Sequence, residues 1–156
     1  MGEQNVPQPM NHEQVKNLLK FIETTQSEHT KNEIFSRLGY ECFHSGRHEA
    51  WVEKCKGDVP AFLDRINNQH TSKYWESLLY NEDKSELILT GRPVQDCACA
   101  YADCSQPPHS LCQTCCKSFQ EAYFGALFER KVEVEITETF LFGSERCCSI
   151  IRFLPE

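Results

Sequence analysis

Apolar residues recur at helical spacing through the first seventy residues of the chain. A capping box beginning at Asn11 precedes a helix that is expected to run to about Thr24. A second capping box begins at Thr30 and opens a helix that Gly39 is expected to end. Two shorter helices follow, at about 47–56 and 60–68. The pattern predicts a helical first half.

The second half of the chain changes to strand patterns around one further helix. The aromatic-rich residues 74–80 and the apolar residues 87–90 flank a polar turn, which predicts a hairpin. Helical spacing returns between Cys112 and Phe128. Residues 132–138 then alternate strictly between apolar and polar, and a turn at Gly143 leads into a last strand. We therefore expect an antiparallel sheet in this half.

These elements predict an α+β fold. N-terminal helices pack on an antiparallel sheet, and one helix lies between a cysteine-rich loop and the C-terminal hairpin. Residues 1–10 are polar, include two prolines and are expected to form a flexible tail. Residues 11–156 are expected to form a single domain, helical over 11–70 and a cysteine-rich sheet-and-helix region over 71–156.

Composition and charge exclude several classes of partner. The 156 residues suffice for one domain with a core of its own, and 40% of them are hydrophobic. The net charge is −7 and no cluster of Lys and Arg occurs, which argues against nucleic acid. No apolar run approaches the ~20 residues of a membrane span, and no secretory leader is visible. We expect a cytoplasmic protein. In that compartment, cysteines are expected to bind metals or take part in reactions rather than to form disulfides.

Residues 97–116 hold six of the ten cysteines and one histidine. Cys97-x-Cys99 and Cys112-x-x-Cys115 supply the four thiolates of a tetrahedral zinc site. A helix beginning at Cys112 would favour the thiolate form through its dipole. Four further residues could replace one of these ligands, namely Cys104, His109, Cys116 and Cys147.

Zinc is therefore the expected cofactor, and two alternatives stay open. An iron–sulfur cluster would use the same four thiolates. The protein could also hold no cofactor, because free cysteine often packs as a small hydrophobic residue. Beside the metal site we expect a ligand pocket lined by Phe119, Tyr123 and Glu138.

The C-terminal part of the chain carries a family resemblance. Its marks are Leu111-Cys-Gln-Thr-Cys-Cys116, an aromatic helix with Gly125, a Val-Glu-Val strand and Glu138-Thr-Phe-Leu-Phe-Gly-Ser-Glu-Arg-Cys147. This arrangement resembles the C-terminal half of 4-vinyl reductase domains and the ending of the L-2-amino-thiazoline-4-carboxylate hydrolase-like family.

The resemblance implies roles for particular residues. Cys147 would be the hairpin cysteine, Gly143 its turn glycine and Glu138 the acidic residue before it. Cys112 or Cys116 would be the upstream cysteine. The superfamily so implied includes small-molecule sensor domains and small subunits of vesicle-tethering complexes, so the resemblance bears on fold more than on activity.

Three functions follow as hypotheses. The first is a sensor-like domain that binds a metal ion or a small molecule without catalysis. The second is a small hydrolase or thiol-dependent enzyme of the thiazoline-carboxylate type, in which a cluster cysteine or Glu138 is catalytic. The third is a protein-interaction module whose exposed aromatics bind a partner or a second copy of the chain as a homodimer. Whether the protein is an enzyme stays open.

Overall fold

A computed structural model describes residues 9–45, 47–95, 97–102, 105 and 108–155. Residues 1–8 of the predicted tail and Cys104 lie outside the described residues. The helices are α1 (His12–Thr25), α2 (Glu28–Ser45), α3 (Arg47–Cys55), α4 (Val59–Asn67) and α5 (Lys117–Phe128). The strands are β1 (Trp75–Asn81), β2 (Glu86–Gly91), β3 (Val132–Glu138) and β4 (Cys148–Phe153).

The four strands form one antiparallel sheet in the order β1-β2-β4-β3. Four helices precede the sheet in the chain, and α5 lies between β2 and β3. The predicted α+β class is confirmed. No described helix combines the length and the apolar composition that a membrane crossing needs.

The first helix begins where its capping box predicts. Asn11 Oδ1 accepts a hydrogen bond from Gln14 N–H, and Gln14 Oε1 accepts one from Asn11 N–H, both at 2.9 Å. The second helix begins earlier than predicted, because Ser27 Oγ, rather than Thr30, receives the first-turn bond, from Thr30 N–H at 3.2 Å.

The prediction that Gly39 ends the second helix is wrong, since α2 continues to Ser45. A Cβ at position 39 would collide with the carbonyl oxygen of Cys115 and lie 2.9 Å from the amide nitrogen of Phe119. Gly39 therefore lets the α2 backbone approach the chain at the start of α5, and helix packing overrides its helix-ending tendency.

The main core lies between the sheet and helices α2 to α5. Phe43, Phe124 and Ile151 are at most 1% exposed, and Trp75 stacks on Phe124 with ring centroids 5.6 Å apart. Tyr123 meets the rings of several neighbours in the same core, among them Phe43, Phe62, Trp75, Phe119 and Phe124. This aromatic core fixes α5 against the sheet.

Strand β3 lies at one edge of the sheet. Its inward residue Val134 is 1% exposed, whereas Glu133 and Glu135 face solvent as the alternation predicts. The N–H of Val134 donates a hydrogen bond to Glu121 Oε1 of α5 at 3.2 Å. An α5 side chain thus satisfies a backbone donor of the edge strand.

Candidate functional site

The structure places two cysteine-bearing segments against each other. One is the stretch after β2 that carries Cys97 and Cys99, and the other is a π-helical segment, Leu111–Cys116, that leads into α5. Both pack in a second core cluster, whose buried members are Leu19, Phe35, Ala102, Leu111, Cys112, Cys115 and Leu141. Cys97 and Cys99 are partly buried against it. The four predicted ligands therefore share one packing cluster.

The turn that carries Cys112 and Cys115 is wider than an α-helical turn. Such π-helical turns occur mostly as insertions in α-helices and are frequent at functional sites. Residues 112–116 all lie in this segment. Sequence periodicity predicts a helix here but gives no sign of the π geometry.

Burial, followed by neighbouring thiols, raises the pKa of Cys112 far above its ordinary value. The thiols that contribute are those of Cys116, Cys97, Cys147 and Cys99. Cys97 and Cys99 also pack against the core cluster that contains Cys112. We call Cys97, Cys99, Cys112, Cys115, Cys116 and Cys147 the thiol cluster.

A partly different set of thiols acts on the pKa of Cys115. Its pKa is raised by burial first and then by the thiols of Cys116, Cys99 and Cys42. Cys42 lies on α2, one turn beyond Gly39, so the close approach at Gly39 brings it there. Cys42 itself is exposed.

Cys116 connects the thiol cluster to the sheet. Burial raises its pKa to about 12, although a hydrogen bond from Gln120 acts in the opposite direction. Gln120 Nε2 lies 3.8 Å from the Cys116 sulfur, and Gln120 Oε1 accepts a hydrogen bond from Ser149 Oγ at 2.6 Å. Since Gln120 and Ser149 are both buried, this chain of bonds fixes the side chain that contacts Cys116.

Cys147 approaches the thiol cluster from the turn before β4. Phe140 N–H donates a hydrogen bond to its sulfur at 3.4 Å, and Gly91 N–H donates one to its carbonyl oxygen at 2.9 Å. Cys147 itself is exposed. It is the cluster thiol that reagents in solution reach most easily.

The other predicted site residues lie elsewhere. His109 is exposed, with its ring 5.1 Å from that of Phe142. Phe119 and Tyr123 lie together in the main core, whereas Glu138 is exposed at the end of β3 and accepts a hydrogen bond from Ser144 Oγ at 2.8 Å. An open groove with a volume of about 560 Å³ lies between α5 and β3, and no cysteine lines it.

Nine cysteines fall within the described residues, and none of these forms a disulfide. Over the same part of the chain, no group of three or more His, Cys, Asp or Glu side chains is arranged to hold a metal ion. Cys97, Cys99, Cys112 and Cys115 thus lie in or against one core cluster, as thiols packed among apolar side chains.

The raised thiol pKa values predict a loss of stability in alkaline solution. Unfolded thiols release their protons at a pKa of about 8.5, while Cys112, Cys115 and Cys116 keep theirs in the folded state. The free energy of unfolding should therefore show no thiol-linked change below about pH 8.5 and should fall as the pH rises toward the raised values. Urea unfolding of the metal-free protein at a series of pH values measures this slope.

The control for this pH dependence is the variant Cys116→Ala, which removes one of the titrating thiols. Its unfolding free energy should fall less steeply with pH than that of the parent protein, because one fewer proton is released on unfolding. Equal slopes for the two proteins would contradict the assignment of Cys116.

Comparison with known proteins gives a structural match alone. No protein-family model and no curated protein matches this chain. Among solved structures, trafficking protein particle complex subunit 3 from Naegleria fowleri, covalently bound to palmitic acid, is similar with a TM-score of 0.54. The match covers 93% of this chain and 95% of that chain at 10% identity. At this identity the similarity shows the fold and no more.

Proposed function

We propose that this chain is a non-catalytic, sensor-like domain that binds a thiophilic metal ion, with Zn²⁺ as the expected ion. Cys97, Cys99, Cys112 and Cys115 would hold it, with Cys116 and Cys147 available as substitutes. The observation that supports the proposal is the packing of all four in or against one core cluster, although they come from two separate segments.

The raised pKa values of the buried thiols argue against a catalytic cysteine. The neighbours that contribute most to the pKa of Cys112 and Cys115 are other thiols, which raise it. Thiols with raised pKa values stay protonated near neutral pH and are weak nucleophiles. A divalent cation would supply the positive charge that thiolates need, and soft sulfur ligands suit Zn²⁺, Cu⁺ or an iron–sulfur cluster.

Binding would require a local adjustment of the cysteine-bearing segments. Zinc is held at about 2.3 Å from each thiolate sulfur. The stretch that carries Cys97 and Cys99 would move against the π-helical segment until the sulfurs surround the ion. Ion binding would also release the thiol protons. The nine cysteines that the structure describes form no disulfide, which suits a reducing cytoplasm, and we propose this as the compartment.

The decisive experiment is elemental analysis of protein purified without added metal. We expect about one equivalent of zinc per chain, and iron with visible absorption in its place would indicate an iron–sulfur cluster. The variant Cys112→Ala should lose the metal. Cys55→Ala is the matched control, because Cys55 is as buried as Cys112 but lies in the main core. Less than about a tenth of an equivalent of either metal would refute the proposal.

A second candidate function is a protein-interaction module that pairs with a second copy of the chain. The structurally similar trafficking protein is a subunit of a complex. On the sheet face opposite the main core, Leu79 and Ile88 pair across β1 and β2 and are 55% and 40% exposed. Ile88 also pairs with Ile150 of β4, so an apolar row crosses three strands.

Sedimentation tests this second candidate. We expect the protein to sediment as a dimer and Ile88→Glu to convert it to a monomer, because a charge in the apolar row would be buried at the interface. Phe142→Glu is the control, since Phe142 is 47% exposed but lies outside the sheet. A parent protein that is monomeric at all concentrations would exclude the homodimer.

A further inference from the structure

Helix α5 and strand β4 lie side by side in a regular register. The ring of Phe128 in α5 meets the ring of Phe153 in β4 edge-on, with centroids 5.3 Å apart. Toward the start of both elements, Ser149 Oγ of β4 donates a hydrogen bond to Gln120 Oε1 of α5 at 2.6 Å. Between these two contacts, eight residues of the helix therefore match four residues of the strand.

The rise per residue explains this match. A helix advances by about 1.5 Å per residue, and a strand advances by about 3.3 Å per residue. Four helix residues therefore cover nearly the same length as two strand residues. Phe124 and Ile151, halfway between the two contacts, are both 0% exposed and lie in the main core. One further step toward the start of both elements reaches Cys116 and Cys147.

The helical geometry extends back to Cys116. Its backbone has helical angles, with φ −64° and ψ −38°. Its sulfur lies 3.8 Å from Nε2 of Gln120, the residue four positions later whose Oε1 contacts Ser149. The side chain of Cys116 therefore lies on the face of the helix that is turned toward β4.

The strand pairing also extends back to Cys147. Gly91 N–H donates a hydrogen bond to the Cys147 carbonyl oxygen at 2.9 Å, which continues the pairing of β2 with β4 by one residue beyond Cys148. Successive side chains of a strand point to opposite faces of the sheet. Cys147 therefore lies on the same face as the buried Ser149, the face that α5 covers, and Cys148 lies on the opposite face.

We infer that Cys116 and Cys147 are a site of reversible disulfide formation, with a peroxide as the oxidant. Cys147 is exposed and meets the peroxide first, whereas Cys116 is half-buried behind it. The Cys147 thiol and hydrogen peroxide give a sulfenic acid and one water. The Cys116 thiol then attacks the sulfenic sulfur, forms the S–S bond and releases a second water.

The electrons and atoms of this reaction balance. The two thiols lose two electrons and two hydrogens in total, and the O–O bond of the peroxide accepts both. A small dithiol returns two electrons by thiol–disulfide exchange and restores the reduced pair. Disulfides of cytosolic proteins are usually transient and redox-sensing. Neither Cys116 nor Cys147 is among the four expected zinc ligands, so this inference is independent of the proposed metal site.

Peptide mapping of the oxidised full-length chain tests the inference. The reduced protein, freed of reductant, is treated with one equivalent of hydrogen peroxide. The mass of the single chain should fall by about 2 Da, the mass of the two hydrogens lost. Trypsin then gives the peptides 85–117 and 147–152, because Arg92 precedes a proline and is not cleaved. These two peptides should be linked, and dithiothreitol should separate them.

Two adjacent pairs of cysteines give matched variants for this map. Cys147→Ser should lose the linked peptides, whereas Cys148→Ser should keep them, because Cys148 lies on the other face of the sheet. Cys116→Ser should likewise lose the link and Cys115→Ser should keep it. If a variant of the buried Cys115 or of Cys116 does not fold, fragmentation of the linked peptides from the parent protein identifies the joined cysteines directly.

Each other outcome overturns the inference. A link that persists in Cys147→Ser or in Cys116→Ser places the disulfide elsewhere. So does fragmentation that joins Cys147 to a cysteine other than Cys116. A chain that gains oxygen without losing the two hydrogens, or that becomes linked only to a second chain, shows that the two thiols do not react with each other. The zinc content of the protein decides none of these results.

Discussion

Replacement of Gly39 by alanine is expected to destabilise the protein by about 2 kcal/mol. A Cβ at this position would meet the carbonyl oxygen of Cys115 and the amide nitrogen of Phe119, both of them backbone atoms that cannot rotate away. Helix propensity alone favours alanine over glycine by about 1 kcal/mol inside a helix. A net loss of stability would therefore show that steric overlap between α2 and the π-helical segment dominates.

Chemical denaturation of Gly39→Ala and Gly57→Ala provides the comparison. Gly57 follows α3, and a Cβ there would have no atom within 4 Å, so its replacement should change stability by less than about 0.5 kcal/mol. The Gly39 variant should also react faster with thiol reagents at Cys115, because α2 must move away from that residue. Equal stability of the two variants would contradict the close packing of α2.

Truncation of Phe124 to alanine is expected to cost about 3–5 kcal/mol of stability, the range for large core aromatics. The side chain is 0% exposed, and its ring packs against those of Trp75, Tyr123 and Phe128 at centroid distances of 5.6, 5.3 and 6.4 Å. Its removal would leave a cavity between α5 and the sheet that these stiff rings cannot fill.

The matched control for Phe124→Ala is Phe142→Ala. Phe142 is 47% exposed, so its truncation should cost less than about 1 kcal/mol. Both stability changes are obtained from the midpoints of denaturant unfolding, provided that the slope of unfolding free energy against denaturant concentration is the same for each protein. A loss below about 1 kcal/mol for Phe124→Ala would contradict a rigidly packed aromatic core.

Much of the fold was predictable because local patterns determine it. The capping box at Asn11 gives the start of α1, and the alternation in residues 132–138 gives β3 with its inward valine. The order of strands was not predictable in the same way. Strand β2 pairs with β4 rather than with β3, which follows it in the chain, and such non-local pairing leaves no local mark.

The length of α2 shows how tertiary packing overrides a local signal. Glycine is a frequent helix terminator, and the sequence around Gly39 offers nothing that distinguishes a terminator from a close contact. The distinction depends on the backbone of Cys115 and Phe119, more than seventy residues later in the chain. Only the folded structure brings these segments together.

The candidate site was predictable in composition and less so in arrangement. Spacing identified Cys97, Cys99, Cys112 and Cys115, which the structure places in or against one packing cluster. Spacing could not assign the neighbours of each thiol, because these depend on the π-helical turn and on residues from α2 and from the turn before β4. The metal, its ligand set and the resemblance to 4-vinyl reductase domains stay predictions.

The contact between Glu121 and the edge strand has a consequence for colloidal behaviour. An uncovered strand edge invites a second molecule to continue the sheet, which is a route to fibrils. On β3, the Glu121 carboxylate of α5 already accepts a hydrogen bond from the Val134 N–H. The solvent-facing glutamates of the strand would also repel the same strand of a second molecule. One backbone donor of this edge is thereby unavailable to a second molecule.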